Sequence, residues 1–111
     1  MRVQLHPDAE RELGEAALWY DDRVRGLGED LLAEVEHWFD ALPETPHAWP
    51  RWPDAPERRP PVRRALLRRF PFAVGYQAFE DRILVLAIAH TSRRPFYWSE
   101  RLDAKSTDGP G

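Results

Sequence analysis

The string Ile83-Leu84-Val85-Leu86-Ala87-Ile88-Ala89 decides how the rest of the chain is read. It is continuously apolar and lies between Arg82 and His90. Its length and β-branched content predict a strand covered on both faces, hence one in the interior of a sheet. Just upstream, Glu80-Asp81 supplies a polar turn. Before that turn, Phe72, Val74 and Tyr76 alternate with Ala73, Gly75 and Gln77, the period of a strand. Pro71 separates this strand from residues 62–70, where the pairs Arg63-Arg64 and Arg68-Arg69 flank Ala65-Leu66-Leu67. That stretch follows neither period cleanly, and its place before two strands makes a third strand the expectation.

The N-terminal half has helical periodicity. Residues 2–5 read as a short strand with Val3 and Leu5 on one face. Pro7 suits the first turn of a helix, where a missing N–H costs nothing. Asp8, Glu10 and Glu12 place negative charge where the helix dipole favours it. Apolar residues then recur at Ala9, Leu13, Ala16, Tyr20 and Val24, the stripe of an amphipathic helix. Gly26-Leu27-Gly28 interrupts the pattern. A second stripe, Leu31, Leu32, Val35, Trp38, Phe39 and Leu42, runs up to Pro43. So short a glycine link predicts an αα-hairpin.

Seven of the 19 residues from 43 to 61 are proline, which excludes helix and central strand from that stretch. A stiff loop is expected there, pinned to the body of the protein by Trp49 and Trp52; loops of this length are often functional. Residues 91–102 carry Arg93, Arg94, Phe96, Tyr97, Trp98 and Arg101. The predicted architecture is an α+β domain over residues 1–102, in the order β-α-α-β-β-β. A helical hairpin would cover one face of a small, mostly antiparallel sheet, the opposite face would be partly open, and residues 103–111 would form a disordered tail.

Composition narrows the functions. The chain has 111 residues and no cysteine, which excludes disulfides and thiolate metal sites and points to the cytoplasm. No apolar run approaches the ~20 residues that span a bilayer, so no membrane association is expected. His6, His37, His47 and His90 show no ligand spacing, and no glycine-rich phosphate loop is present; neither a metal nor a cofactor is expected. The net charge of −3 conceals a split. Residues 1–45 hold 12 acidic and 4 basic side chains, whereas residues 46–111 hold 7 acidic and 12 basic ones, of which 11 are arginine. Arginine presents a planar fork of donors suited to carboxylate or phosphate.

Four stretches resemble one family. They are Glu15-Ala16-Ala17-Leu18-Trp19-Tyr20, the turn around Leu27-Gly28, Arg69-Phe70-Pro71-Phe72-Ala73-Val74-Gly75-Tyr76, and the closing run from Val85 through Ala89-His90-Thr91-Ser92-Arg93-Arg94-Pro95-Phe96-Tyr97-Trp98. In this order they resemble the RelE/ParE toxin superfamily, over nearly the whole chain up to Leu102, and its ParE-like branch most closely. The resemblance implies a toxin encoded beside an antitoxin whose tail wraps and blocks it. RelE-like members cut messenger RNA in the ribosome, and ParE-like members poison DNA gyrase. The fold carries both activities and does not choose between them.

Metal-free RNA cleavage needs proton transfer and stabilisation of the phosphate's growing charge. His90 or Tyr97 would move the proton, Arg93 and Arg94 would hold the phosphate, and Arg63, Arg64, Arg68 and Arg69 would add contacts. Against this stand the absence of lysine before Lys105, the lack of a carboxylate in residues 62–70, and an acidic chain where RNA binding favours a basic one. Inhibition by docking needs aromatic and arginine anchors. Arg63, Arg64, Arg68, Arg69, Arg93, Arg94, Tyr97 and Trp98 supply them, and an acidic antitoxin tail would pair with the β-strand arginines. The alternative is structural: Tyr97 and Trp98 fill the edge of the core, His90 ends a strand, and the arginines are solvated. The expectation is a ParE-like inhibitor of DNA gyrase, with a ribosome-dependent mRNA endonuclease second and a binding module that has lost toxicity third.

Overall fold

The computed structural model describes residues 2–103. The apolar string read first lies within β4 (Arg82–His90), between β1 (Arg2–Leu5) and β3 (Phe72–Ala78); β2 (Val62–Leu66) completes a sheet in the order β1-β4-β3-β2. β1 runs parallel to β4, and the other two pairs are antiparallel. Ile83, Val85, Leu86 and Ala87 have no exposed surface, as an interior strand requires.

Helices α1 (Pro7–Arg23) and α2 (Leu27–Ala41) cover one face. Ala9, Leu13, Ala16 and Tyr20 of α1 and Leu31, Val35, Trp38 and Phe39 of α2 pack on Val74, Tyr76, Ile83, Val85 and Ile88. The reversal between the helices is local chemistry. Gly26 adopts φ +89°, open to glycine and costly for other residues. The Asp21 carboxylate accepts the N–H groups of Gly26 (3.1 Å) and Gly28 (2.7 Å), so α1 caps the N-terminus of α2. A Cβ on Gly28 would collide with the Ala17 carbonyl; the helices touch backbone to backbone there. Two stripe positions depart from expectation. Val24 lies past the end of α1 and is exposed, and Leu32 faces outward from α2.

The strand expected over residues 62–70 stops at Leu66. The backbone N–H groups of Arg68 and Arg69 turn to the Glu34 carboxylate of α2, at 2.6 and 3.4 Å. The turn lets Phe70 enter the core, its ring edge-on to Tyr20 at 5.1 Å. The proline-rich loop seals the outer edge of β2. Arg51 bridges Arg63, Trp52 N–H donates to the Val62 carbonyl (2.8 Å), and Arg64 N–H donates to that of Pro50 (2.9 Å).

The second face of the sheet, expected partly open, carries its own apolar cluster. The two loop tryptophans go to opposite sides. Trp49 packs on Trp38 on the helix side (5.7 Å between centroids), and Trp52 crosses to the other and meets Trp98 (4.9 Å). Trp52 lies directly over Gly75, where a Cβ would stand 3.0 Å from the indole. A bulge helps to fill this face. Val85 pairs with Tyr76 and Ala87 with Gly75, so Leu86 has no partner on β3, and Leu86 and Ala87 both join the second cluster. The chain ends its described course in a 3-10 turn, Ser99–Asp103. Asp103 thus belongs to that turn, and the rest of the expected tail lies outside the described residues. No helix among the described residues is long and apolar enough to cross a membrane.

Candidate functional site

β4 delivers the chain into a tight turn at His90. Thr91 N–H donates to the Pro71 carbonyl (2.9 Å), and the His90 Nδ1 accepts from Ser92 N–H (3.1 Å) and lies 2.7 Å from Ser92 Oγ. The His90 ring stands edge-on to Phe72 at 5.2 Å. A β-turn follows over residues 94–97, closed by Tyr97 N–H on the Arg94 carbonyl (3.3 Å). Pro95 suits its second position. Its third position holds Phe96 at φ +60°, unfavourable for an aromatic residue. That conformation sets the Phe96 ring against Trp98, 5.8 Å away.

Between this turn and β2 lies a groove. Leu66, Ala73 and Ala89 floor it; Trp52, Phe96 and Trp98 wall it; Arg64, Arg93 and Arg94 stand around it. The floor follows from register, because Leu66 pairs with Ala73 and Ala73 with Ala89, and the small side chains leave the depression. Trp98 is almost fully buried, and its Nε1–H has no acceptor among the described residues. Arg64 is held over Trp52 (5.7 Å) and Arg93 over Tyr97 (3.9 Å), cation–π contacts that leave their N–H forks directed by aromatic surface.

The structure therefore brings together His90, Arg64, Arg93, Arg94, Tyr97 and Trp98, and it separates the other three arginines. Strand alternation turns Arg63 to the opposite face from Arg64. Its guanidinium donates to the carbonyls of Trp49 (2.7 Å) and His47 (3.4 Å), which ties down the proline-rich loop. Arg69 pairs with Asp30 of α2 at 3.4 Å, on the surface. Arg68 and Arg69 lie beyond the end of β2 and do not line the groove.

A residue of the site that sequence reading missed is Glu12. It accepts four hydrogen bonds: from Tyr97 OH (2.6 Å), from Arg101 at both oxygens (3.0 and 2.8 Å), and from Ile88 N–H (3.1 Å). Arg101 also donates to the Leu86 carbonyl at 2.9 Å. The Glu12 and Arg101 side chains are each 10% exposed, so this is a nearly buried ion pair with its hydrogen bonds filled. Burial pushes the Glu12 carboxyl up, but the bonds from Arg101, Tyr97 and Ile88 and the charge of Arg101 outweigh it. The net position is below the ordinary carboxylate value. Burial first, then the bond to Glu12 and its negative charge, push the Tyr97 phenol well above the ordinary tyrosine value. Tyr97 is a neutral donor committed to Glu12, poorly suited to pass a proton to RNA. One signal for Glu12 existed: it sits between Ala9 and Ala16 at helical spacing, on the margin of the apolar stripe.

No family model and no curated protein matches the chain. Among solved structures, a chain of the "Chromosomal ParDE TA system from P. aeruginosa" superposes with a TM-score of 0.70 at 17% sequence identity, covering 83% of this chain and 97% of that one. At that identity the likeness is one of fold. The chain shares its α+β fold with that ParDE-system chain, and α+β is the fold class that the sequence led one to expect.

Proposed function

We propose that the chain is the toxin of a type II toxin–antitoxin pair, acting in the cytoplasm by docking on a protein target, DNA gyrase first among them, and neutralised by a cognate antitoxin. The observation that carries this reading is the groove beside the 94–97 turn: apolar floor, aromatic walls and three arginines, with Tyr97 locked to Glu12. Such a surface suits an acidic, partly apolar protein segment. Apolar side chains would cover Leu66, Ala73 and Ala89, and carboxylates would meet Arg64, Arg93 and Arg94.

A ribosome-dependent mRNA endonuclease is the second reading, favoured by one observation: His90 lines the same groove as Arg93 and Arg94. Purified protein assayed in parallel on gyrase supercoiling and on ribosome-bound messenger RNA separates the two. The expected result is inhibited supercoiling with intact RNA, relieved by the product of an adjoining antitoxin gene. Replacing Arg64 and Arg94 by glutamate should weaken antitoxin binding roughly 10- to 100-fold per position, the scale of a lost charge-assisted hydrogen bond. RNA cleavage abolished by His90→Ala would overturn the docking mechanism.

A further inference from the structure

β1 is four residues long and pairs with residues 82–85 of β4. The last contact of that pairing is the His6 N–H on the Val85 carbonyl, at 2.8 Å. From Leu86 onward the outer edge of β4 has no strand beside it among the described residues. The register with β3 decides which groups face that edge. Thr91 N–H bonds to the Pro71 carbonyl, so the antiparallel alternation turns Ala89 and Ala87 toward β3 and turns Ile88 and His90 outward.

Two side chains stand in for a strand along the first part of this edge. Arg101 donates to the Leu86 carbonyl, and Glu12 accepts the Ile88 N–H. The next outward groups are the Ile88 carbonyl and the His90 N–H, and the Glu12–Arg101 pair stops short of them. The His90 carbonyl is already taken by Arg93 N–H at 3.0 Å. A second groove runs beside this stretch, which is uncapped among the described residues, between α1 and the segment after β4. Ala16, Tyr20 and Phe72 form its apolar shelf, half-exposed Trp19 its wall, and Glu15 and Arg93 its charged rim. Arg93 has no carboxylate within ion-pair distance among the described residues; its guanidinium lies over Tyr97 instead.

We infer that the edge of β4 at Ile88 and His90 receives an extended segment of a partner protein. It adds to the sheet as a short strand in line with β1, with one apolar side chain on Trp19 and Tyr20 and a carboxylate at Arg93. Two main-chain groups supply affinity, and the shelf and Arg93 supply selectivity. The occupant is a second protein rather than residues 104–111 of this chain. Residues 104–111, Ala-Lys-Ser-Thr-Asp-Gly-Pro-Gly, hold no large apolar side chain for the shelf. His90 and Arg93 line both grooves, so one segment passing around the 91–93 turn would engage both. The partner's identity rests on the toxin reading, which makes it the antitoxin.

The test is amide hydrogen exchange, by NMR, on the full chain alone and in complex with the product of the adjoining antitoxin gene. The His90 amide should exchange rapidly in the free protein and about 100-fold more slowly in the complex, while Ala87 and Ala89, already bonded to β3, stay slow in both. In parallel, Trp19→Ala should weaken the complex about tenfold, and Leu18→Ala, exposed on the same helix outside the groove, should leave it unchanged. A complex that forms with unaltered exchange at His90 overturns the strand addition and leaves the toxin reading standing. Absence of any complex with the unaltered chain overturns both.

Discussion

The two faces of the sheet are closed by different means. On the helix side, two amphipathic stripes lay a continuous aliphatic and aromatic layer over β3 and β4. On the other side a proline-rich loop and the closing segment supply isolated aromatic rings, Trp52 and Trp98 above all, with small residues and arginines around them. Helices cover area efficiently because every third or fourth residue points the same way. An irregular segment covers what its individual side chains reach and leaves grooves between them. The difference explains why the groove with Arg64, Arg94 and Trp98 opens on the second face, whereas the helix face is mostly given to packing and offers only the shelf at Trp19 and Tyr20 on its margin.

Glu12 belongs to both sides, because it hangs from α1 and binds Tyr97 and Arg101 of the closing segment. Its replacement by alanine should produce the largest loss, about 3–5 kcal/mol, since it leaves the nearly buried Arg101 with only the half-exposed Asp8 carboxylate at 3.7 Å as an ion-pair partner and leaves the Ile88 N–H without its acceptor. Urea unfolding measures it, and a loss below ~1 kcal/mol would show that the closing segment is held by Trp98 packing instead. The same carboxylate predicts a pH dependence. Its folded-state value is lowered, so its contribution is present above the ordinary value of 4.5 and is lost as pH falls through the lowered value. Glu12→Gln should flatten that acid limb.

On the helix side alone, Leu31→Ala should cost about 2–5 kcal/mol and leave binding of the proposed antitoxin by the folded fraction intact. On the loop side alone, Gly75→Ala should cost about 1–3 kcal/mol, because the new Cβ crowds the Trp52 ring. Tryptophan emission should shift with it, as the Trp52–Trp98 pair is displaced; unchanged emission would mean the loop yields without moving its indole. The smallest effect on stability belongs to Arg94→Glu, within about 0.5 kcal/mol in thermal unfolding, although affinity for the proposed antitoxin should fall sharply. A large stability loss there would make Arg94 part of the packing and remove it from the docking surface.

The elements that were legible beforehand share one property: their signal lies within a few consecutive residues. The apolar run from Ile83 marked an interior strand, the alternation from Phe72 marked its neighbour, and the stripes of α1 and α2 marked a hairpin. The candidate site was legible in part. His90, Arg93, Arg94, Tyr97 and Trp98 are close in sequence and remain close in the fold, joined by Arg64. The four β2-region arginines looked like one patch. The alternation of β2 and its early end at Leu66 sent Arg63 into the loop and Arg69 to Asp30. Trp52 looked like an anchor without an address, because its seat is the missing side chain of Gly75, 23 residues away.

Sequence by itself determined the strand and helix identities, the hairpin and the charge split, since hydrophobic period and turn chemistry act over one or two turns of chain. Tertiary structure alone decided that Tyr97 donates its hydrogen bond to a carboxylate 85 residues earlier, and that β1 ends too soon to cover the edge of β4. The physical reason is that buried hydrogen bonds are satisfied by whatever folding brings within reach. No local pattern records which distant group that will be.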